Sequence, residues 1–295
     1  MKTLNISTVF AKVSCVAVSL VALMVSSVSY AGALGPIERI SEDSNGNYGD
    51  NTSYSSLNNA NHFSEDRRYV VFSSDANNLV DGDVAYADIF VYDRELETIE
   101  LVSRASSEDG VLGAKGLGYS YSPSINADGR YVAFCSFAYN LVDGDSGYAD
   151  IFVYDRELET IELVSRASSE DGVLGAPGLG FSYSPSISAD GRYVAFYSGA
   201  NNLVDGDVGN HDIFVYDRDE DTIELVSANE DGEQGSAGGH TPIISPDGSA
   251  VLFSSYSTNF VDDDVDDPQQ YQQVFVKQLS IGVAPVANAG SDQIV

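Results

Sequence analysis

The chain has 295 residues, 43% of them apolar, and a formal net charge of −31. That length allows one large or two modest domains, each able to bury a core. So strong a negative balance repels phosphate backbones and anionic bilayers, which excludes nucleic acid as a partner and favours solubility and divalent cations.

At the N-terminus, Lys2 and Lys12 precede the apolar run Val13 to Val28, and Ser29-Tyr30-Ala31 supplies the small residues a signal peptidase recognises. Residues 1–31 are expected to form a secretory signal peptide cut after Ala31, with no stable membrane insertion after cleavage. Cys15 lies in this leader without a lipoprotein box, so the exported chain keeps Cys135 alone and forms no internal disulfide. The expected location is the periplasm or the extracellular space.

Residues 32–282 are dominated by a repeat. Copies run from Phe63 to Arg104, Ile125 to Arg166 and Ile187 to Ser227, with a worn copy from Ile243 to Leu279; Ile125 and Ile187 stand 62 positions apart. Within a copy the apolar period is two. Tyr131, Ala133 and Cys135 alternate with Val132, Phe134 and Ser136, and Ile151 and Val153 alternate with Phe152 and Tyr154. Thr160 to Ser165 alternates at its start, and Ser122 to Asn126 makes a short first strand. Asp128-Gly129, Asp190-Gly191 and Asp247-Gly248 predict tight hairpins with both residues at positive φ, whereas Asp66-Arg67 in the first copy calls for a different turn.

Four short antiparallel strands per copy predict the blade of a β-propeller, hence an all-β fold of four blades. The fourth copy lacks its last strand. Ile37-Glu38-Arg39-Ile40-Ser41 matches Ile99-Glu100-Leu101-Val102-Ser103 and is expected to supply that strand, closing the ring and removing exposed sheet edges.

Ser184 to Phe196, SPSISADGRYVAF, followed by Asp212-Ile213-Phe214-Val215-Tyr216-Asp217, resembles the repeat of the TolB-like, WD-type β-propeller family. The resemblance spans residues 37 to 280 and implies the fold. The family covers periplasmic partner-binding domains and domains attached to peptidases, so it implies no single function. TolB itself resembles a six-bladed propeller, whereas four repeats occur here. Val283 to Val295, VAPVANAGSDQIV, resembles the opening strand of a PKD-type immunoglobulin-like module, so residues 283–295 are expected to be a linker and the start of that module.

The most chemical segments are the acidic loops between the second and third strands. They carry Asp81, Asp83 and Asp88 in the first copy, Asp143, Asp145 and Asp150 in the second, and Asp205, Asp207 and Asp212 in the third. The fourth holds Asp262, Asp263, Asp264, Asp266 and Asp267. Carboxylates at alternate positions beside a glycine suit calcium, which takes six to eight oxygens, although no complete EF-hand is present. The alternative is that these acids cap turns and start strands.

Catalytic constellations are scarce. His62, His211 and His240 each stand where the other copies carry another residue, and Gly118-Tyr119-Ser120-Tyr121-Ser122 lacks the closing glycine of a nucleophile elbow. Cys135 takes a place held elsewhere by Ser73, Tyr197 and Ser254, which points to strand packing. A glycosidase carboxylate pair is defined by spatial separation, which chain spacing does not give. Arg94, Arg156 and Arg218 follow Tyr-Asp in each complete copy, and Asp93, Asp155 and Asp217 are expected to pair between blades.

Gly116 to Tyr121 and Gly178 to Tyr183 set aromatics in the connections between copies. They form either a ring of Tyr and Phe at one mouth, suited to a peptide or a sugar, or wedges between blades. The whole points to an exported, non-enzymatic interaction module for a protein or cell-surface ligand. The alternative is an accessory domain of an extracellular hydrolase or lyase.

Overall fold

The computed structural model describes residues 36–55, 61–81, 83, 86–108, 111–145, 147–168, 175–208, 210–261 and 271–279. The expected leader at 1–31, the PKD-like start at 283–295 and the acids Asp262, Asp264 and Asp266 lie outside these residues. The chain divides into Met1–Arg39 and Ile40–Val295, and the repeats all belong to the second unit.

Each complete repeat folds as one antiparallel sheet whose strands follow chain order. The first sheet holds β1 (Ser53–Tyr54), β2 (Tyr69–Ser74), β3 (Asp88–Asp93) and β4 (Thr98–Leu101). The second holds β5 (Ser120–Ile125), β6 (Tyr131–Ser136), β7 (Asp150–Asp155) and β8 (Thr160–Leu163). The third holds β9 (Ser182–Ile187), β10 (Tyr193–Ser198), β11 (Asp212–Asp217) and β12 (Thr222–Leu225). The fourth has β13 (Gly239–Ile244), β14 (Ala250–Ser255) and β15 (Gln273–Gln278). This is the all-β, four-bladed propeller architecture that the repeats predict.

The two-residue period buries both faces, because most sheets are sandwiched. Val71, Ile89 and Val91 of the first sheet pack against Phe134, Phe152 and Tyr154 of the second. Cys135, Ile151 and Val153 on the other face of the second sheet meet Phe196, Phe214 and Tyr216 of the third. Ala195, Ile213 and Val215 then meet Val251 and Phe253 of the fourth. At the fourth sheet the series stops: Leu252, Val274 and Val276, which occupy the equivalent outward positions, are 40%, 70% and 61% exposed.

The expected closure by the N-terminal strand is not what the structure has. Ile37 to Ser41 form no strand, and among the described residues β15 pairs with β14 alone. Arg39 corresponds to Leu101, which is buried in the first sheet, so as a strand this segment would bring a charge to a core position; Arg39 is exposed instead. Ile40 packs instead beside Phe72, Phe90 and Tyr92 of the first sheet.

Two sets of contacts set the spacing of the sheets. Near the axis, the backbone N–H of Glu65 donates to the carbonyl of Ala127 at 2.8 Å, Ala127 to Ala189 at 3.0 Å, and Ala189 to Pro246 at 2.8 Å. Farther out, the Arg156 guanidinium lies 4.3 Å from the Tyr69 ring centre and binds Glu100, both of the preceding sheet, at 2.8 Å. It also donates to the Gly129 carbonyl at 2.6 Å. Arg218 repeats the arrangement with Tyr131, Glu162 and Gly191. The aspartates expected to bridge blades pair within them: Arg68 with Asp93, Arg130 with Asp155 and Arg192 with Asp217, each at 2.7 Å. The arginine one strand away is nearer than any neighbouring sheet, and it leaves the following arginine free to reach across.

The Asp-Gly turns also differ from expectation. Only the glycine takes positive φ, at 79° in both Gly129 and Gly191, while Asp128 caps the Arg130 N–H at 2.9 Å. The first repeat makes the same turn, with Arg67 held at φ 62° where the others have glycine. Replacing Arg67 by Gly is expected to raise stability by about 1 kcal/mol, the left-handed penalty less the entropy of glycine. A β-carbon on Gly129 would sit 2.2 Å from the Tyr69 ring. Gly129→Ala is therefore expected to cost about 2–4 kcal/mol, through ring displacement and backbone strain. Urea unfolding of both variants checks the two signs.

Candidate functional site: the aromatic mouth and its acidic loops

Antiparallel pairing sends the acidic loops and the starts of β5, β9 and β13 to one end of the array, and the Asp-Gly turns to the other. Ser120 faces Ser136, and Ser136 faces Asp150, so strand starts and acidic loop share one row.

At that end one aromatic residue comes from each sheet. Tyr54, Tyr121, Tyr183 and His240 occupy equivalent places, opposite Ser73, Cys135, Tyr197 and Ser254. In the last three sheets the next residue, Ser122, Ser184 or Thr241, takes a positive φ of 54°, 52° or 46°. A register shift follows, with two residues set against one, as where Ser122 and Pro123 face Phe134. Such a bulge bends the strand and re-aims the side chain before it. A non-glycine residue in the left-handed region costs about 1–3 kcal/mol, which surrounding structure must hold in place.

The aromatics stack on one another and stay open to solvent. Tyr119 and Tyr121 lie parallel with centroids 6.0 Å apart and 9° between planes, and Tyr86 meets Tyr119 edge-on at 5.3 Å. Phe181, Tyr183 and Tyr148 repeat this, at 6.2 Å for the stacked pair and 5.3 Å for the edge contact. Tyr119 is 47% and Phe181 43% exposed. The rings meet across repeats, as wedges between blades do, and they also face water. His211 and His240 converge on Tyr197, at 6.0 and 6.3 Å between centroids. Sequence spacing did not bring these two histidines together.

The acids divide into three kinds. Asp81, Asp143 and Asp205 are exposed. Asp83 is buried, while Asp145 and Asp207 are half-buried, Asp145 accepting the Gly147 N–H at 3.2 Å as a turn cap. Asp88, Asp150 and Asp212 are buried at the starts of β3, β7 and β11. Ser103, Ser165 and Ser227 donate to them at 2.6, 2.7 and 2.7 Å. The same hydroxyls accept the N–H of Ile89, Ile151 and Ile213 at 3.0 Å each. Each carboxyl therefore ties the start of the third strand to the residues following the fourth.

The partners of the second acid differ by repeat. Lys115 Nζ stands 4.0 Å from Asp83 and donates to the Asp81 carbonyl at 3.1 Å. Gln234 donates to Asp207 at 3.2 Å and also to Asp212. The second repeat has Pro177 at this place, bridged to Arg166 as Lys115 is to Arg104. Among the described residues no three acids, histidines or cysteines gather as a metal-ligand set. Cys135 lies buried in β6, its thiol 3.4 Å from the Ser182 carbonyl, and burial pushes its pKa up.

Burial pushes Asp88 up to about 8; the Ser103 hydroxyl opposes the shift and the Asp83 carboxylate adds to it. Burial likewise raises Asp212, against Ser227 and Gln234. The folded state thus keeps the Asp88 proton where an unfolded carboxyl, near 3.8, has lost it. From this group stability falls as pH rises from about 4 to about 8. Asp88→Asn, which keeps an oxygen for Ser103, is expected to raise the melting temperature at pH 8 by several degrees and to leave the melt near pH 4 little changed. Equal shifts at both pH values would contradict this.

At the opposite end a cavity of about 270 Å³ is lined by Phe63, Glu65, Ile125, Ala127, Ala189 and Pro246, with Glu65 its one charged group among these.

Compared by sequence, the chain matches no protein-family model and no curated protein. Compared by structure, it is similar to TolB from Acinetobacter baumannii, with TM-score 0.45 and 15% identity over 79% of this chain and 42% of that one. It is also similar to a putative TolB from Agrobacterium tumefaciens, with TM-score 0.41 and 15% identity over 74% and 73% of the two chains. An oligogalacturonate lyase from Vibrio parahaemolyticus gives TM-score 0.43 and 14% identity over 72% and 49%. The chain thus spans about two fifths of the Acinetobacter protein and half of the lyase. At these identities no residue role is transferred.

Proposed function

We propose that the protein is an exported, non-enzymatic β-propeller interaction module whose aromatic mouth receives a protein or cell-surface ligand. The observation that carries this reading is the row Tyr54, Tyr121, Tyr183 and His240, one residue per sheet, with exposed Tyr119 and Phe181 beside it. Contiguous exposed rings mark interaction surfaces, and aromatic residues are enriched among those that dominate binding. The bulges after Tyr121, Tyr183 and His240 support the same reading, since strain kept at equivalent places in successive repeats aims side chains at one end.

The test is capture of exported and surface material by the immobilised protein, compared with a Tyr54→Ala, Tyr121→Ala, Tyr183→Ala variant. The variant is expected to lose at least about tenfold in affinity for captured material, with an unchanged circular dichroism spectrum. Undiminished capture would overturn the mouth as the site.

The acidic loops we take as scaffold rather than as calcium cups in the first and third repeats, where Lys115 and Gln234 already face the second acid. Like charges held together without a donor would repel, and these donors relieve that repulsion. Calcium added after chelation is expected to move the melting temperature by less than about 2 °C, well short of what a site at a hundredfold excess over its Kd gives. A larger, saturable shift would restore the calcium reading.

A further inference from the structure

Resting on the mouth as the binding site, we propose that its partner is a basic polypeptide segment, whose guanidinium or ammonium groups seat at the junction of the first and second sheets. Tyr54, Tyr119 and Tyr121 are 45%, 47% and 36% exposed there. The Tyr54 hydroxyl donates to Asp75 Oδ2 at 3.0 Å, and Tyr119 and Tyr121 present parallel rings. Burial, and after it the nearby Asp75 carboxylate, holds the Tyr121 phenol above its usual range, so the ring stays neutral. Ring faces beside a carboxylate attract cations, and Arg more than Lys.

The molecule uses this chemistry itself at the other end. Arg156 lies on the Tyr69 ring and binds Glu100, and Arg218 lies on Tyr131 and binds Glu162. Those two rings already carry an arginine from the next sheet. Among the described residues, no Arg or Lys lies over Tyr54, Tyr119 or Tyr121, and Asp75 has no cationic partner. The same combination of ring and carboxylate therefore stands open at the mouth.

Charge selects the occupant further. The chain carries 45 Asp and Glu against 14 Lys and Arg, and exposed Asp81, Asp143 and Asp205 lie on the loops at this same end. An anionic ligand would meet that field at a disadvantage, and a cationic one would be steered in. A neutral sugar would use the rings and leave Asp75 without a charge partner.

The full chain can be titrated with acetylated, amidated Gly-Arg-Gly-Arg-Gly and with its citrulline counterpart, which keeps the shape and loses the charge. Calorimetry gives the affinity, and tyrosine emission, unmasked by any Trp, follows the titration. Saturable 1:1 binding is expected, weakened about tenfold or more by Tyr121→Leu, by Asp75→Asn and by the citrulline exchange. Glu157→Gln, which removes an exposed charge at the far end, is expected to change affinity less than about twofold. Equal binding of the two peptides would overturn the cation claim while leaving the mouth as a site. Equal binding of the arginine peptide to wild type and to both mouth variants would overturn it as well, by showing diffuse attraction to an acidic protein. Binding of neither peptide would also overturn it.

Discussion

The propeller depends on how one sheet grips the next, and that grip is a tyrosine ring laid over a glycine. Tyr69, Tyr131 and Tyr193 each cover the turn glycine of the following repeat, so closely that no β-carbon fits beneath. The ring then becomes the floor for an arginine from that following repeat, at the first two of these junctions. Apolar burial between sheets is larger in total, but it is non-directional. Ring, glycine and guanidinium fix the offset, and the offset lines up the starts of β5, β9 and β13 at the mouth.

Much of this was legible in the residues. The alternation Tyr-Val-Ala-Phe gave strands, its near-identity across copies gave the sheets, and Asp-Gly gave the turns. What escaped was geometry that depends on a neighbouring repeat. Arg67 occupies a glycine position because the Asp66 cap and the next strand hold it there, and no local propensity announces that. Asp93 and Arg94 are adjacent in sequence, yet one pairs within its sheet while in later copies the arginine equivalent reaches outward. Strand alternation points such neighbours to opposite faces. At Arg39 a single charge at what would be a core position decides against closure, despite a likeness at the other four residues of the segment.

The site was half legible. The aromatic positions were visible as residue types, but not that a bulge turns them toward one end. Ser-Pro following an aromatic in the second and third copies, and Thr-Pro following His240 in the fourth, was the available signal. The acidic loops were visible and their chemistry was not, because Lys115, Pro177 and Gln234 occupy one place in successive repeats and differ entirely. Near-identical copies therefore hide their individuality in the single residue facing each buried acid. The burial that anchors Asp88 also makes ionising it costly, so the loops bordering the mouth trade solvation for rigidity.

The axial ladder ends at a residue with no N–H to give. Each repeat donates one backbone hydrogen bond to the next, and Pro246, in the last, accepts one and offers none. The array consequently has a direction of growth. A duplicated copy bearing alanine at this place fits between the third and fourth repeats with every axial group matched. A copy added beyond the fourth would face a proline nitrogen.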